Sequence, residues 1–231
     1  MKFIFDVDGT LTPSRGIIDS EFKSFLLEFI EKNKVYLATG SDYSKTLEQV
    51  GIEICESVET CFNCSGNSVW KKGKEIRSGV FELDELHREY FQSRLEASKF
   101  KPKTGRHFET RPGMVNFSVV GRNASLEDRF HYKLWDEHKN ERHSIVEEFT
   151  TMFGNGIVVQ VAGDTGLDIF PKGYDKSQIA SFVKGPVVFF GDKMMPGGND
   201  EPLANEVLKR TGGRAIQVED WEDTFRRLKA I

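Results

Sequence analysis

The run Asp6-Val7-Asp8-Gly9-Thr10 sits directly behind the apolar segment Phe3-Ile4-Phe5, and its residue types point most directly to chemistry. A carboxylate at the end of a buried strand can attack phosphorus and hold the phosphoryl group as an aspartyl phosphate. Two acids one residue apart at that strand end are expected to face opposite sides, each with a different task around one substrate. Gly9 lets the backbone turn sharply there, and Thr10 adds a hydroxyl donor. Attack by an anion on an anion requires a cation to mask their repulsion. Asp192, in Gly191-Asp192 behind the apolar run Pro186 to Phe190, is expected where Asp6 stands on its own strand. Asp6 and Asp192 could share a magnesium ion, which prefers hard oxygens and keeps several waters, with Asp200 of Gly197-Gly198-Asn199-Asp200 joining them. Thr39 and Ser41, in Ala38-Thr39-Gly40-Ser41-Asp42, offer hydroxyls to a phosphoryl oxygen, and Lys176 offers charge to the group in transfer. Any one of these acids alone reads equally well as a turn or cap residue, and Lys176 alone as a surface lysine. Their recurrence at strand ends beside glycine argues for a metal and phosphoryl site.

The elements that would position them alternate. Lys2 to Phe5 predicts a short buried strand. A helix from about Asp19 or Ser20 carries Phe22, Phe25, Leu26, Phe29 and Ile30 on one face and stops at Asn33. Val35 to Ala38 predicts a second strand, and Ser44 to Val50 a helix ending at Gly51. This rhythm implies a parallel sheet with its ligands at the carboxyl ends of the strands. After a basic hairpin at Trp70 to Lys74 the texture changes. Helical faces at Leu83, Leu86, Tyr90, Phe91, Leu95 and at Ile145, Val146, Phe149, Met152, Phe153 flank alternating runs, Val115/Phe117/Val119, Ile157/Val159/Val161 and Leu167/Ile169, which predict antiparallel strands with one face buried. Parallel texture returns with a helix capped by Asp175, the strand at Pro186 to Phe190, a helix through Ala204 and Val207, the strand Ala215 to Val218 and a last helix with Trp221, Phe225 and Leu228. The expectation is an α/β protein: a Rossmann-like parallel-sheet core, residues 1–78 and 172–231, with an inserted α+β cap at 79–171.

A chain of 231 residues with a net charge of -4 does not suit a protein whose main partner is nucleic acid. No leader and no apolar stretch near the ~20 residues of a membrane span is read, so a cytoplasmic protein with no membrane partner is expected. Cys55, Cys61 and Cys64 form an odd set, read as reduced thiols despite the redox-type spacing of the last two. The histidines fall outside the motifs.

Asp6 to Thr10, Thr39, Lys176, Gly191-Asp192 and Asp200 together resemble the haloacid dehalogenase superfamily of phosphotransferases. That resemblance implies Asp6 as nucleophile, Asp8 as general acid and base, and magnesium held by Asp6, the Asp8 carbonyl and Asp192, near Asp200. The stretches Arg111 to Asn116, Gly121 to Arg129, Asp168 to Lys176 and Pro196 to Asp200, with Leu11-Thr12-Pro13-Ser14-Arg15, are similar to eukaryotic-type phosphomannomutases. This similarity implies interconversion of mannose 6-phosphate and mannose 1-phosphate, with a hexose 1,6-bisphosphate as intermediate and activator. It makes Arg111, Arg122 and Arg129 the grip on the distal phosphate, with Asn116 and Asp168 touching the sugar phosphate and Arg15 near the interdomain cleft. It also implies a cap that opens and closes, and a homodimer built through it. A magnesium-dependent sugar-phosphate phosphatase is the alternative, and a non-catalytic sensor is disfavoured by the intact Asp6 and Asp8. Gly166 stands where the family has a serine, Met194 where threonine is expected, and Pro112 where a polar residue is expected.

Overall fold

The computed structural model describes residues 1–230. Strand β1 (Lys2–Phe5) is apolar at consecutive positions because both of its faces are covered. Phe3 and Phe5 enter a cluster with Phe22, Leu26 and Leu37, while Ile4 enters another with Phe62, Phe189 and Leu203. There follow α1 (Ser20–Lys32), β2 (Lys34–Ala38), α2 (Tyr43–Val50), α3 (Ile52–Ser57), β3 (Thr60–Asn63) and the hairpin β4 (Ser68–Lys71) and β5 (Lys74–Ser78). The inserted elements are α4 (Glu85–Ala97), β6 (Phe108–Arg111), β7 (Met114–Phe117), α5 (Leu126–Lys139), α6 (Glu141–Phe153), β8 (Ile157–Ala162) and β9 (Gly166–Pro171). The chain ends with α7 (Ile179–Phe182), β10 (Val188–Gly191), α8 (Glu201–Leu208), β11 (Arg214–Gln217) and α9 (Trp221–Leu228).

Two compact units result, Met1–Gly79 with Gly173–Ile231, and Val80–Lys172. In the first, the sheet order is β11-β10-β1-β2-β3-β4-β5, parallel from β11 to β3 and antiparallel beyond. Chain order reverses between β1 and β10, the switch point at which such sheets gather ligands beyond the carboxyl ends of their strands. Helix α1 starts where Asp19 accepts from the Glu21 and Phe22 N–H groups and buries Phe22, Leu26 and Ile30, one turn apart. Strand β3 was not anticipated: three of its four residues are buried, a pattern without alternation that leaves little periodicity to read.

The second unit is a four-stranded antiparallel sheet, order β6-β7-β9-β8. Phe91, Tyr132, Ile145 and Phe149 from its helices pack with Val115, Phe117, Leu167 and Ile169 of the sheet. Two expectations fail locally. Leu86 and Met152, placed on buried helix faces, are both 61% exposed, the buried stripe of α4 beginning a turn later at Tyr90. Strand β7 is buried on both faces, because Asn116 is covered by polar side chains on the side away from the helices.

Candidate active site

Asp6 follows β1 with its N–H donated to the Phe190 carbonyl at 2.9 Å, which fixes it at the switch point. Its Oδ1 accepts from Lys176 Nζ at 2.6 Å, and the same ammonium donates to Asp200 Oδ1 at 2.6 Å. Lys176 is fully buried in a single 3-10 turn whose start is capped by Asp175. The Asn67 amide pins that segment by donating to the Tyr174 carbonyl at 2.8 Å. Asp192 completes the group: one oxygen each from Asp6, Asp192 and Asp200 lie within 4.8 Å of one another. The approach demands glycine at two places. A Cβ on Gly9, whose φ is +78°, would lie 2.5 Å from Asp192 Oδ2, and one on Gly191 would lie 2.6 Å from Asp200 Oδ2.

Lys176 donates to Asp6 and Asp200, and Lys193 Nζ lies 3.8 Å from Asp192 Oδ2, so three carboxyls face two ammonium groups. Burial holds the Asp6 carboxyl well above the usual carboxylate range, Asp200 pushes it the same way, and Lys176 opposes them. Burial raises Asp192 as well. For Lys176, burial would depress the ammonium, but Asp200 and Asp6 outweigh it and hold it above its ordinary value. An all-oxygen, net-negative, closely spaced donor set fits a hard divalent cation.

In an unbroken strand Asp6 and Asp8 would share a face. They diverge here because β1 ends at Phe5 and the chain turns, with Leu11 and Thr12 donating back to the Val7 carbonyl at 2.9 and 3.1 Å. Asp8 Oδ1 accepts from the Arg15 N–H at 2.7 Å and from Gln49 Nε2 at 2.9 Å, and Oδ2 from Ser41 Oγ at 3.4 Å. Arg15 thus reaches the site through its backbone, held at a φ of +59°, while its side chain is exposed. Thr39 is buried, and its hydroxyl oxygen accepts from the Ser41 N–H at 3.0 Å. Thr10 is buried with its hydroxyl unpartnered among the described residues. Gln49, which the sequence reading passed over, is buried on α2 and also donates to Thr12 Oγ1 at 3.3 Å.

In the inserted unit the strand registers align Glu109, Asn116, Asp168 and Gln160 as one polar row across all four strands. Arg111, two residues beyond Glu109, shares its face. Glu109 Oε2 accepts from Arg111 Nε at 2.8 Å and from Arg122 Nη2 at 2.8 Å. Asn116 bridges onward, accepting from Arg122 Nη1 at 3.3 Å and donating to Asp168 Oδ1 at 2.7 Å. Burial opposes ionisation of Glu109, but Arg111 and Arg122 outweigh it and hold the carboxyl below its usual range. Burial raises Asp168, against the pull of Arg111. Arg129 lies half-buried in the first turns of α5, whose N-cap is Ser125. Glu109 was missed by the sequence reading, although its spacing two residues before Arg111 on a strand was the available signal.

The three departures have distinct surroundings. A Cβ on Gly166 would lie 2.7 Å from Asn116 Nδ2, so the asparagine amide fills the space that a serine there would need. Met194 packs against the cluster containing Ile4. Pro112 is in the turn between β6 and β7. The three cysteines are free and buried, with Cys61 Sγ donating to the Cys55 carbonyl at 3.6 Å.

A parallel sheet with acids at its switch point and an antiparallel cap inserted in the chain is the haloacid dehalogenase-like fold. The C-terminal domain of C. albicans trehalose-6-phosphate phosphatase superposes with a TM-score of 0.68 at 14% identity, covering 99% of this chain and 90% of that one. A haloacid dehalogenase-like hydrolase from Bacteroides thetaiotaomicron does so with a TM-score of 0.64 at 13% identity, over 99% and 98%. Within that fold the chain belongs to the eukaryotic phosphomannomutase family, whose model matches residues 22–231. Phosphomannomutase of Saccharomyces cerevisiae is 33% identical over 240 residues, covering 99% of this chain and 92% of the relative. No helix among the described residues is long and apolar enough to cross a membrane.

Proposed function

We propose that the chain interconverts mannose 6-phosphate and mannose 1-phosphate through a phosphorylated Asp6 and a hexose 1,6-bisphosphate. Asp6 attacks a phosphorus of the bisphosphate and the bond from that phosphorus to the sugar oxygen breaks, Asp8 giving that oxygen a proton. The bisphosphate is regenerated when a hydroxyl of the monophosphate attacks the aspartyl phosphate and Asp8 takes the hydroxyl proton. Lys176 holds the Asp6 carboxylate in place and offsets negative charge in the transfer. Arg111 and Arg122, with Arg129, bind the phosphate that is not in transfer, as charge-assisted guanidinium pairs suit. Asn116 and Asp168 orient the sugar. Asp6, Asp192 and Asp200, with the Asp8 carbonyl, would hold magnesium, which supplies charge neutralisation at the transferring phosphoryl group.

The observation that carries the reading is the family match across the whole of the inserted unit as well as most of the core. The core chemistry alone serves a phosphatase equally well. A cytoplasmic homodimer formed through the cap belongs to the same reading, supported by Leu126, Phe130 and Leu134, which are 87%, 57% and 41% exposed at successive turns of α5. The protein with magnesium, mannose 1-phosphate and catalytic glucose 1,6-bisphosphate is expected to form mannose 6-phosphate with little inorganic phosphate. Phosphate release without isomer would make it a phosphatase, and neither product would make it a sensor.

Metal binding and pH are linked through the raised carboxyls. A carboxyl whose folded pKa exceeds the unfolded value, 3.8 for Asp6, binds more protons folded than unfolded. In metal-free protein its penalty is absent below that value and grows as pH rises through the folded pKa. Magnesium offsets the penalty and competes with protons at low pH. The gain in Tm on replacing EDTA by magnesium is therefore expected to be roughly 5–10 °C at pH 7.5 with metal about a hundredfold above its Kd, and smaller at pH 5. Scanning calorimetry checks this, and an equal gain at both pH values would contradict it.

A further inference from the structure

We infer that Glu109 is a built-in counter-anion of the cap's phosphate grip, weakening the hold of Arg111 and Arg122 so that the sugar's distal phosphate is released in every catalytic cycle. This rests on the mutase reading above. A mutase that works through a bisphosphate must exchange which phosphate is in transfer between its two half-reactions. Whatever grips the distal phosphate must therefore let go once per turnover. Paired guanidiniums alone are a poor device for letting go, because their forks match a phosphate with two or more charge-assisted bonds.

Glu109 presents a competing oxyanion to the same forks. Its Oε2 accepts from Arg111 Nε at 2.8 Å, from Arg111 Nη2 at 2.5 Å and from Arg122 Nη2 at 2.8 Å. The carboxylate is three-quarters buried, with its side chain 26% exposed, so the contact is screened less than a surface pair. Asp168 lies in the same polar row, two strands away. Glu109 contacts both guanidiniums, so part of the grip's positive charge is offset before any phosphate arrives. An incoming phosphate must then share or displace Glu109, and the carboxylate is present to take the guanidiniums back when the phosphate leaves. The ionised state that this requires is the one the two arginines enforce.

The test compares the full-length wild type with Glu109→Gln and Glu109→Asp, measuring the Kd of mannose 6-phosphate by calorimetry and kcat and KM for mutase turnover. Glu109→Gln is expected to bind about tenfold more tightly, equivalent to about 1.4 kcal/mol, and to turn over more slowly at saturation. Glu109→Asp, which keeps the charge but draws it back by one methylene, is expected to fall between wild type and Glu109→Gln in both. A Kd for Glu109→Gln equal to or weaker than wild type would overturn the inference and leave Glu109 as scaffolding. Glu109→Ser gives the same comparison if the glutamine variant does not fold. Arg122→Ala separates the two levels: if it leaves the Kd unchanged, the assignment of the arginines to phosphate fails, whatever Glu109 does.

Discussion

Asp6→Asn is expected to retain its fold and ligand binding while losing turnover by roughly 10⁴-fold or more, the scale at which removal of a covalent nucleophile is felt. The amide is nearly isosteric, and its oxygen can still accept the 2.6 Å bond that Lys176 donates to Asp6 Oδ1. Its removal of a negative charge from a group of three acids costs the fold little, since burial and Asp200 already disfavour the ionised Asp6. What disappears is the anionic carboxylate that attacks phosphorus. Circular dichroism should match wild type, calorimetry should still register mannose 6-phosphate, and a coupled assay should read near background. Retention of more than about a hundredth of the activity would rule out a covalent role for Asp6.

Lys176→Met has the larger expected effect on stability. The methionine fills much of the same volume but leaves Asp6 and Asp200 facing each other with no cation, both almost fully buried. Breaking a buried ion pair by removing one partner costs about 3–5 kcal/mol, because the remaining charge is uncompensated. The folded pKa of Lys176 is held above its ordinary 10.5, so its stabilisation is fully present below that value and lost only as pH rises through the folded pKa. At pH 7 the whole effect is therefore exposed. Urea unfolding of metal-free protein should show it, with a smaller loss at pH 5, where the stranded Asp6 carboxyl, already raised by burial, more readily takes up a proton. A loss below about 1 kcal/mol at pH 7 would contradict the central place given to this lysine. With magnesium present, kcat should still fall by roughly 10²- to 10³-fold, as when one preorganised charge partner is removed.

The core site was largely legible in the chain because its parts follow a simple rule. Asp6, Thr39 and Asp192 each stand just after an apolar strand segment, and a parallel sheet brings such positions to one edge. The split between Asp6 and Asp8 could be anticipated as a division of labour but not in its cause, which is a turn built on backbone hydrogen bonds to Val7. Gln49 left no trace in the pattern: on an amphipathic helix a buried glutamine looks like an error in the apolar face until Asp8 is seen beside it. In the cap, Arg111 and Arg122 were picked out by resemblance. Their relation to Glu109 depends on strand register, which alternation alone does not fix between distant strands. Gly166 shows the same limit. A missing hydroxyl is visible in the sequence, whereas the asparagine amide occupying its place is a matter of packing across β7 and β9.

The central claim is that Asp6 takes a phosphoryl group from a hexose bisphosphate and returns it to a sugar. The direct measurement is the fate of label from [³²P]glucose 1,6-bisphosphate mixed with the protein, magnesium and unlabelled mannose 1-phosphate, quenched over time. The account predicts label first on the protein, mapped to Asp6, and then in mannose bisphosphate and mannose 6-phosphate, with inorganic phosphate a minor product. Label passing to inorganic phosphate as fast as it leaves the protein, or never resting on Asp6, would contradict it.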